Sequence, residues 1–386
     1  MIPKMVQLYK NKALSGDSGT ETFPLKRNDL VIGYMVKIRA ANGATNNDFD
    51  AAAEATVERS ITKIEVKSGS AVFKSYDGEM CRKIATYRNG ILPETLITGV
   101  AGGTWAGNSD PLLGWQEAVF PIDFCIKQDP YGNRTGTIFP APLYDSLDLV
   151  IDYNFTISAT AGFATGGANH VMDVYALTLP KQEKGAMENK HILVESKKID
   201  YTTVASGDES FDLTLDNNRF LRHLYVNCYE QGIGEGVDIT DLVLKVEGNN
   251  EWASKWGDLQ AQNALDCNLK FEKKYYGDPT DGSTAHYTRV PAARGMVTGY
   301  EAPTVVPWLG YNNDTVTVTN DSGELYELLI RSDVLPGMAV MDFDKDGLMQ
   351  NMQYCGVKDL DLQISNGGAG GATQILEQHW SKAWGY

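Results

Sequence analysis

Leu147-Asp148-Leu149-Val150-Ile151-Asp152-Tyr153-Asn154-Phe155-Thr156-Ile157 places an apolar residue at every second position. Leu147, Leu149, Ile151, Tyr153, Phe155 and Ile157 share one face. Asp148, Val150, Asp152, Asn154 and Thr156 share the other. Successive side chains of a strand point to opposite faces, so the stretch reads as a strand with one core face and one mostly polar face. At roughly 3.3 Å per residue it would run about 35 Å, in a sheet whose outer face is turned away from the core. Its opening returns later in the chain: Leu360-Asp361-Leu362-Gln363-Ile364 repeats Leu-Asp-Leu-x-Ile.

Four further pairs recur in the same order. Ser15-Gly16-Asp17 returns as Ser206-Gly207-Asp208, and Phe23-Pro24-Leu25 as Phe211-Asp212-Leu213. Ile61-Thr62-x-Ile64-x-Val66-Lys67 returns as Ile239-Thr240-x-Leu242-x-Leu244-Lys245, and Ile122-Asp123-Phe124 as Met341-Asp342-Phe343. Each match alone is short. Their shared order is the signature of an internal duplication, with loop insertions varying the offset. Between the copies, Lys181 to Lys198 carries a run of charges and little strand pattern.

The sequence therefore predicts an N-terminal arm over 1–14, a first β unit over 15–180, a linker over 181–200 and a second β unit over 201–386. Within the first unit, strands are expected at Asn28–Arg39, Ile61–Lys67, Ala118–Ile126 (broken by Pro121) and Val171–Leu179, with Val72–Arg88 ambiguous and partly helical. The second unit carries a long excursion, about 251–316, rich in aromatics. Two consecutive units of roughly eight strands each give an all-β fold of two tandem eight-stranded jelly rolls with long loop excursions.

The totals narrow the function. The chain has 386 residues, with 34 Lys and Arg against 50 Asp and Glu, a net charge of −16. An acidic chain without a basic cluster does not suit phosphate-driven nucleic-acid binding. Cys81, Cys125, Cys228, Cys267 and Cys355 form no Cys-x-x-Cys pair and read as buried reduced thiols rather than a disulfide framework. No apolar run reaches the ~20 residues of a spanning helix. The first dozen residues are basic and partly apolar, with Lys4, Lys10 and Lys12 among Met5, Val6, Leu8 and Tyr9.

No constellation for catalysis stands out. The five histidines are scattered, and Gly232-Ile233-Gly234-Glu235-Gly236 precedes strand-like residues rather than a helix, so it reads as a turn and not a dinucleotide loop. Asp342-Phe343-Asp344-Lys345-Asp346-Gly347 matches the opening of a calcium loop. Its twelfth position is Gln353, which cannot supply a bidentate carboxylate. Two readings stay open: an Asp-Gly turn, or a Ca²⁺ site at Asp342, Asp344 and Asp346.

The layout, with the C-terminal run Val340-Met341-Asp342-Phe343, Leu360-Asp361-Leu362-Gln363-Ile364 and Ile375-Leu376-Glu377-Gln378-His379-Trp380, resembles the double jelly-roll major capsid proteins of tailless icosahedral viruses (the tectivirus, corticovirus and adenovirus lineage). The Gly33-Tyr34-Met35-Val36-Lys37-Ile38 strand is similar to an early strand of the tectivirus members. The resemblance implies a non-enzymatic virion protein, made and assembled in the host cytoplasm. It implies homotrimers of six barrels that tile a shell and meet vertex and minor capsid proteins, with interfaces of more than ~2,000 Å². It also implies an inward-facing N-terminal arm, where Lys4, Lys10 and Lys12 would suit an internal membrane of anionic lipid. The competing reading is a carbohydrate-binding or carbohydrate-cleaving β-sandwich protein, such as a phage receptor-binding protein or a glycoside hydrolase. Trp252, Trp256 and Trp308 would then be sugar platforms.

Overall fold

A computed structural model describes residues 4–43, 56–98, 114–125, 138–156, 163–179, 191–204, 206–213, 219–230, 234–235, 238–277, 285–289, 294–299, 315–319, 326–332, 334–345, 357–368 and 370–382. The first jelly roll runs through β1 (Lys4–Ala13), β2 (Ser18–Pro24), β3 (Leu30–Ala41), the short helix α1 (Val57–Ser60), β4 (Ile61–Ser68), β5 (Ala71–Tyr76) and helix α2 (Gly78–Asn89). It continues through β6 (Thr95–Thr98), β7 (Trp115–Asp123), β8 (Asp148–Asn154) and β9 (His170–Leu179). Strands β1-β9-β3-β7 form one sheet and β2-β8-β4-β5 the other. Their facing apolar sides make a single core, in which Val36, Ile64, Phe73, Phe120, Leu149, Ile151 and Val174 are buried.

The second roll repeats that order. It comprises β10 (His191–Thr202), β11 (Gly207–Asp212), β12 (Arg219–Glu230), β13 (Gly234–Glu235), β14 (Ile239–Val246), β15 (Asn249–Lys255) and helix α3 (Trp256–Cys267). An excursion of β16 (Phe271–Gly277), β17 (Ala285–Arg289), β18 (Arg294–Gly299), β19 (Thr315–Thr319) and β20 (Tyr326–Ser332) follows. The roll closes with β21 (Met338–Asp342), β22 (Leu360–Asn366) and β23 (Ala372–Lys382). Its sheets are β10-β23-β12-β21 and β11-β22-β14-β15. Strand for strand, these are the two sheets of the first roll.

Four of the five sequence matches fall at corresponding places; Ser15-Gly16-Asp17 instead precedes β2, while Gly207-Asp208 lies within β11, three residues out of step with the shared register. Strands β4 and β14 bury the same positions, Ile61, Ile64 and Val66 against Ile239, Leu242 and Leu244. The Leu25 N–H donates to the Leu147 carbonyl at 2.8 Å, as Leu213 does to Leu360 at 2.7 Å. Phe124 donates to Ile32 at 2.9 Å, as Phe343 does to Arg222 at 2.9 Å. The two rolls are joined through β5 and β10, which pair in parallel at Lys74↔Glu195 and Ser75↔Ser196. The second sheet of roll one thereby runs on into the first sheet of roll two.

Several expectations need correction. Residues 4–13 are not an arm: they form β1, hydrogen-bonded along β9 from Lys4↔Thr178 to Ala13↔Val171. Of the expected linker, 181–190 lies outside the described residues, and 191–200 belongs to β10, which pairs with β23 from its first residue. The long strand is shorter, seven residues at Asp148–Asn154, with single bonds at Leu147 and Phe155 prolonging its edges. Pro121 does not break β7, because β3 pairs on one side through Met35↔Pro121 while β6 reaches only Glu117 and Ala118 on the other. On that other side no strand pairs with Pro121 among the described residues, and its carbonyl accepts from Cys81 Sγ of helix α2 at 3.4 Å, so the missing N–H costs no ladder bond. The excursion begins after α3 rather than at 251, since 251–255 completes β15. Most of 278–314 lies outside the described residues, as do Trp308, Asp346 and Cys355.

Candidate functional site: the buried seam between the two jelly rolls

Helix α2 forms because Asp77 caps its N-terminus, accepting from the Met80 N–H at 2.7 Å. Gly90 ends it in the left-handed conformation (φ 71°), its N–H donating to the Thr86 carbonyl. Gly78 sits where a Cβ would come within 2.4 Å of the Glu58 carbonyl, so glycine lets the helix seat against α1. The helix is not amphipathic. Met80 through Tyr87 are all buried, Arg82 and Lys83 included. One side packs on its own roll, where Arg82 pairs with Glu58. The other side reaches the second roll.

Lys83 Nζ donates to Asn227 Oδ1 at 2.7 Å, and Tyr87 Oη donates to Asp342 Oδ2 at 3.2 Å. Arg88 pairs with Glu195, whose other oxygen lies 3.0 Å from Lys74 Nζ. Gln378 Nε2 donates to the same Glu195 at 2.5 Å and to Tyr225 Oη at 3.1 Å. Arg222 then links Gln378 Oε1 (2.5 Å) to Asp344 Oδ2 (3.0 Å). His223 closes the chain between Tyr225 Oη (2.7 Å, Nδ1) and Asp342 Oδ1 (3.0 Å, Nε2). Cations of roll one thus meet anions and amides of roll two in a layer with almost no solvent exposure.

Burial governs the protonation states here. It pushes the Lys74 ammonium well below its ordinary value, and the Arg88 charge adds to the effect. Burial and the Arg222 charge bring His223 down to about 4. At neutral pH the imidazole is uncharged, accepting from Tyr225 and donating to Asp342. Burial opposes ionisation of Asp342, but hydrogen bonds from His223 and the Asp344 N–H, with the Arg222 charge, hold its carboxyl below the usual range.

The residues singled out from sequence fall as follows. Asp342 and Asp344 lie in this seam with protein donors on their oxygens: His223 and Tyr87 on Asp342, Arg222 on Asp344. Asp344 therefore meets a guanidinium at 3.0 Å. Among the described residues no group of three His, Cys, Asp or Glu side chains could hold a metal ion. Lys4, Lys10 and Lys12 are exposed along β1. Trp256 is buried in the core of roll two, and Trp252 packs edge-on against Phe343 at 5.3 Å. Cys81, Cys125 and Cys228 are buried thiols outside any disulfide, and Cys267 is half-buried. Among the described residues no helix is long and apolar enough to cross a membrane.

The fold and seam define a double jelly roll with its two barrels locked side by side. No family model matches the chain, and neither does any curated protein sequence. Solved structures do. The major capsid protein of Sulfolobus turreted icosahedral virus superposes with a TM-score of 0.56 at 12% identity, over 98% of this chain and 97% of that one. The major capsid protein of bacteriophage PM2 gives 0.53 at 8%, over 99% and 98%. The capsid of the virus PBCV-1 gives 0.54 at 11%, over 98% and 93%. At these identities the likeness establishes the fold, end to end.

Proposed function

We propose that this chain is a viral major capsid protein whose homotrimers form six-barrelled, pseudo-hexagonal capsomers that tile an icosahedral shell. The observation that carries the reading is the duplication itself. Two jelly rolls of the same strand order stand side by side in one chain and are joined through a buried seam, so three chains would supply six barrels of like topology. A heterologous contact repeated around an axis closes into a ring when its rotation divides the circle. The near-full-length likeness to capsid proteins supports the same reading. Its partners are other copies of itself, then neighbouring trimers and the vertex and minor proteins of the virion. The proposal assigns no catalytic step to the chain.

The test is the native mass of the purified protein, with negative-stain images of the same sample. A particle of three times 42.4 kDa with a six-cornered outline is expected. A monomer or dimer that persists on concentration overturns the reading.

A further inference from the structure

We propose that each copy docks on the next by repeating between chains the seam that joins its own two rolls: β15 of one copy receives β1 of a second copy in parallel, and α3 covers that copy's first sheet. The inference rests on the capsomer reading above and names its contact residues.

Shared strand registers fix which residues correspond. Gly33 pairs with Asp123 and Leu177, and His223 pairs with Asp342 and Gln378. Both strands slip register just before that point, between Val31 and Gly33 and between Leu221 and His223. Leu177 thus corresponds to Gln378. Met5 pairs with Leu177, and Glu195 with Gln378, so Met5 stands in roll one where Glu195 stands in roll two. On the opposite side of each roll, Val66 pairs with Lys74 and Leu244 with Trp252, each pair followed by a bulge. Trp252 therefore stands where Lys74 stands. Even their aromatic neighbours correspond, with Lys74 over Phe124 at 5.0 Å and Trp252 against Phe343 at 5.3 Å.

The helices align in the same way. Each has 12 residues and a left-handed cap, Gly90 donating to Thr86 and Asn268 to Ala264. Leu265 then corresponds to Tyr87, and Ile91 to Leu269.

Within the chain, this side of roll one is covered by roll two: Lys74 faces Glu195, and Tyr87 is only 2% exposed. The matching side of roll two is bare. Leu265 there is 84% exposed; the receiving side of roll one is bare as well, with Met5 at 60% and Ile91 at 65%, and these are three of the four large apolar side chains exposed among the described residues. Their counterparts Tyr87, Glu195 and Leu269 are at 2%, 0% and 5%. Among the described residues, strands β15 and β1 each end a sheet and pair with no strand on their outer side. The outer face of β3 is likewise open, with Met35 half-buried and the Lys37 side chain 30% exposed. The corresponding Tyr225 and Asn227 lie at 0% and 4% beneath α2.

The chemistry differs between the seams, which keeps them from exchanging partners. The internal seam matches Lys74 to Glu195, whereas the external one matches Trp252 to Met5, a sulfur–aromatic pair.

The experiment compares native masses of wild type, Leu265→Asp, Met5→Glu and the double variant Met5→Glu/Trp252→Lys. Leu265 and Met5 are exposed in the single chain, so folding should survive, which circular dichroism and unfolding midpoints verify. Each single variant is expected to lose the trimer at concentrations where wild type is fully trimeric. The double variant, which transplants the Lys74–Glu195 pair into the external seam, is expected to regain it. Single variants that stay trimeric, beside a trimeric wild type, overturn this seam and leave the capsomer reading standing. A wild type that never trimerises overturns both.

Discussion

Replacing Glu195 by alanine isolates the energetics of the internal seam. Its carboxylate is fully buried and holds Lys74 at 3.0 Å, Arg88 and Gln378. At that distance, in an effective dielectric of roughly 20, the Lys74 attraction alone is about 5 kcal/mol before desolvation. Removing the carboxylate leaves two buried cations facing each other. Lys74, already depressed in pKa, can shed its proton and limit the damage. The expected net cost is about 3–5 kcal/mol, the usual penalty for breaking one side of a buried ion pair. Lys74→Met should behave differently. Glu195 keeps Arg88 and Gln378, and an apolar chain of similar length fills the site, so the cost should stay under about 1.5 kcal/mol. Urea unfolding of the three proteins at one fixed concentration measures both values, the fixed concentration removing any contribution from assembly. Equal costs for the two variants, or a Glu195→Ala cost below about 1 kcal/mol, would refute the view that this carboxylate anchors the seam.

Acidification should act through His223. Its folded-state value of about 4 lies below its ordinary 6.5, so between those pH values the unfolded chain binds more protons, and stability falls as pH falls. The full loss is about 3 kcal/mol. Unfolding curves of wild type and His223→Gln between pH 7 and 4 should therefore converge on acidification, whereas parallel curves would contradict a neutral buried imidazole. Asn263 on α3 donates to the Val340 carbonyl and accepts from its N–H, both at 2.8 Å. Asn263→Ala should cost about 2–4 kcal/mol by stranding both groups and speed amide exchange at Val340, and unchanged exchange there would count against it.

The duplication was legible because core-facing strands carry the period-two pattern that burial imposes. Ile61–Lys67 and Ile239–Lys245 bury matching positions, and Leu147 and Leu360 accept matching hydrogen bonds. What escaped notice lies at the edges of the rolls. Strand β1 buries few of its side chains, so no apolar alternation marks it. Strand β10 carries Glu195 on a face that packs against another roll rather than into its own core. Helix α2 shows only as the helical part of the ambiguous Val72–Arg88, because burial of Met80 through Tyr87 leaves it no polar stripe. The seam was hidden for a different reason. Lys74, Arg88, Glu195, His223, Asp342 and Gln378 are scattered over three hundred residues, and only the topology brings them together. A residue-by-residue alignment of the two copies would have exposed it, through charged residues such as Glu195 standing opposite an apolar Met5.

The most direct test of the account is a cryo-EM reconstruction of the purified oligomer at a resolution that separates strands. The account predicts six upright barrels around a three-fold axis, with β1 of each copy lying parallel to β15 of its neighbour and Met5 beside Trp252. A two-fold dimer, or a trimer in which those two edges face solvent, would contradict it.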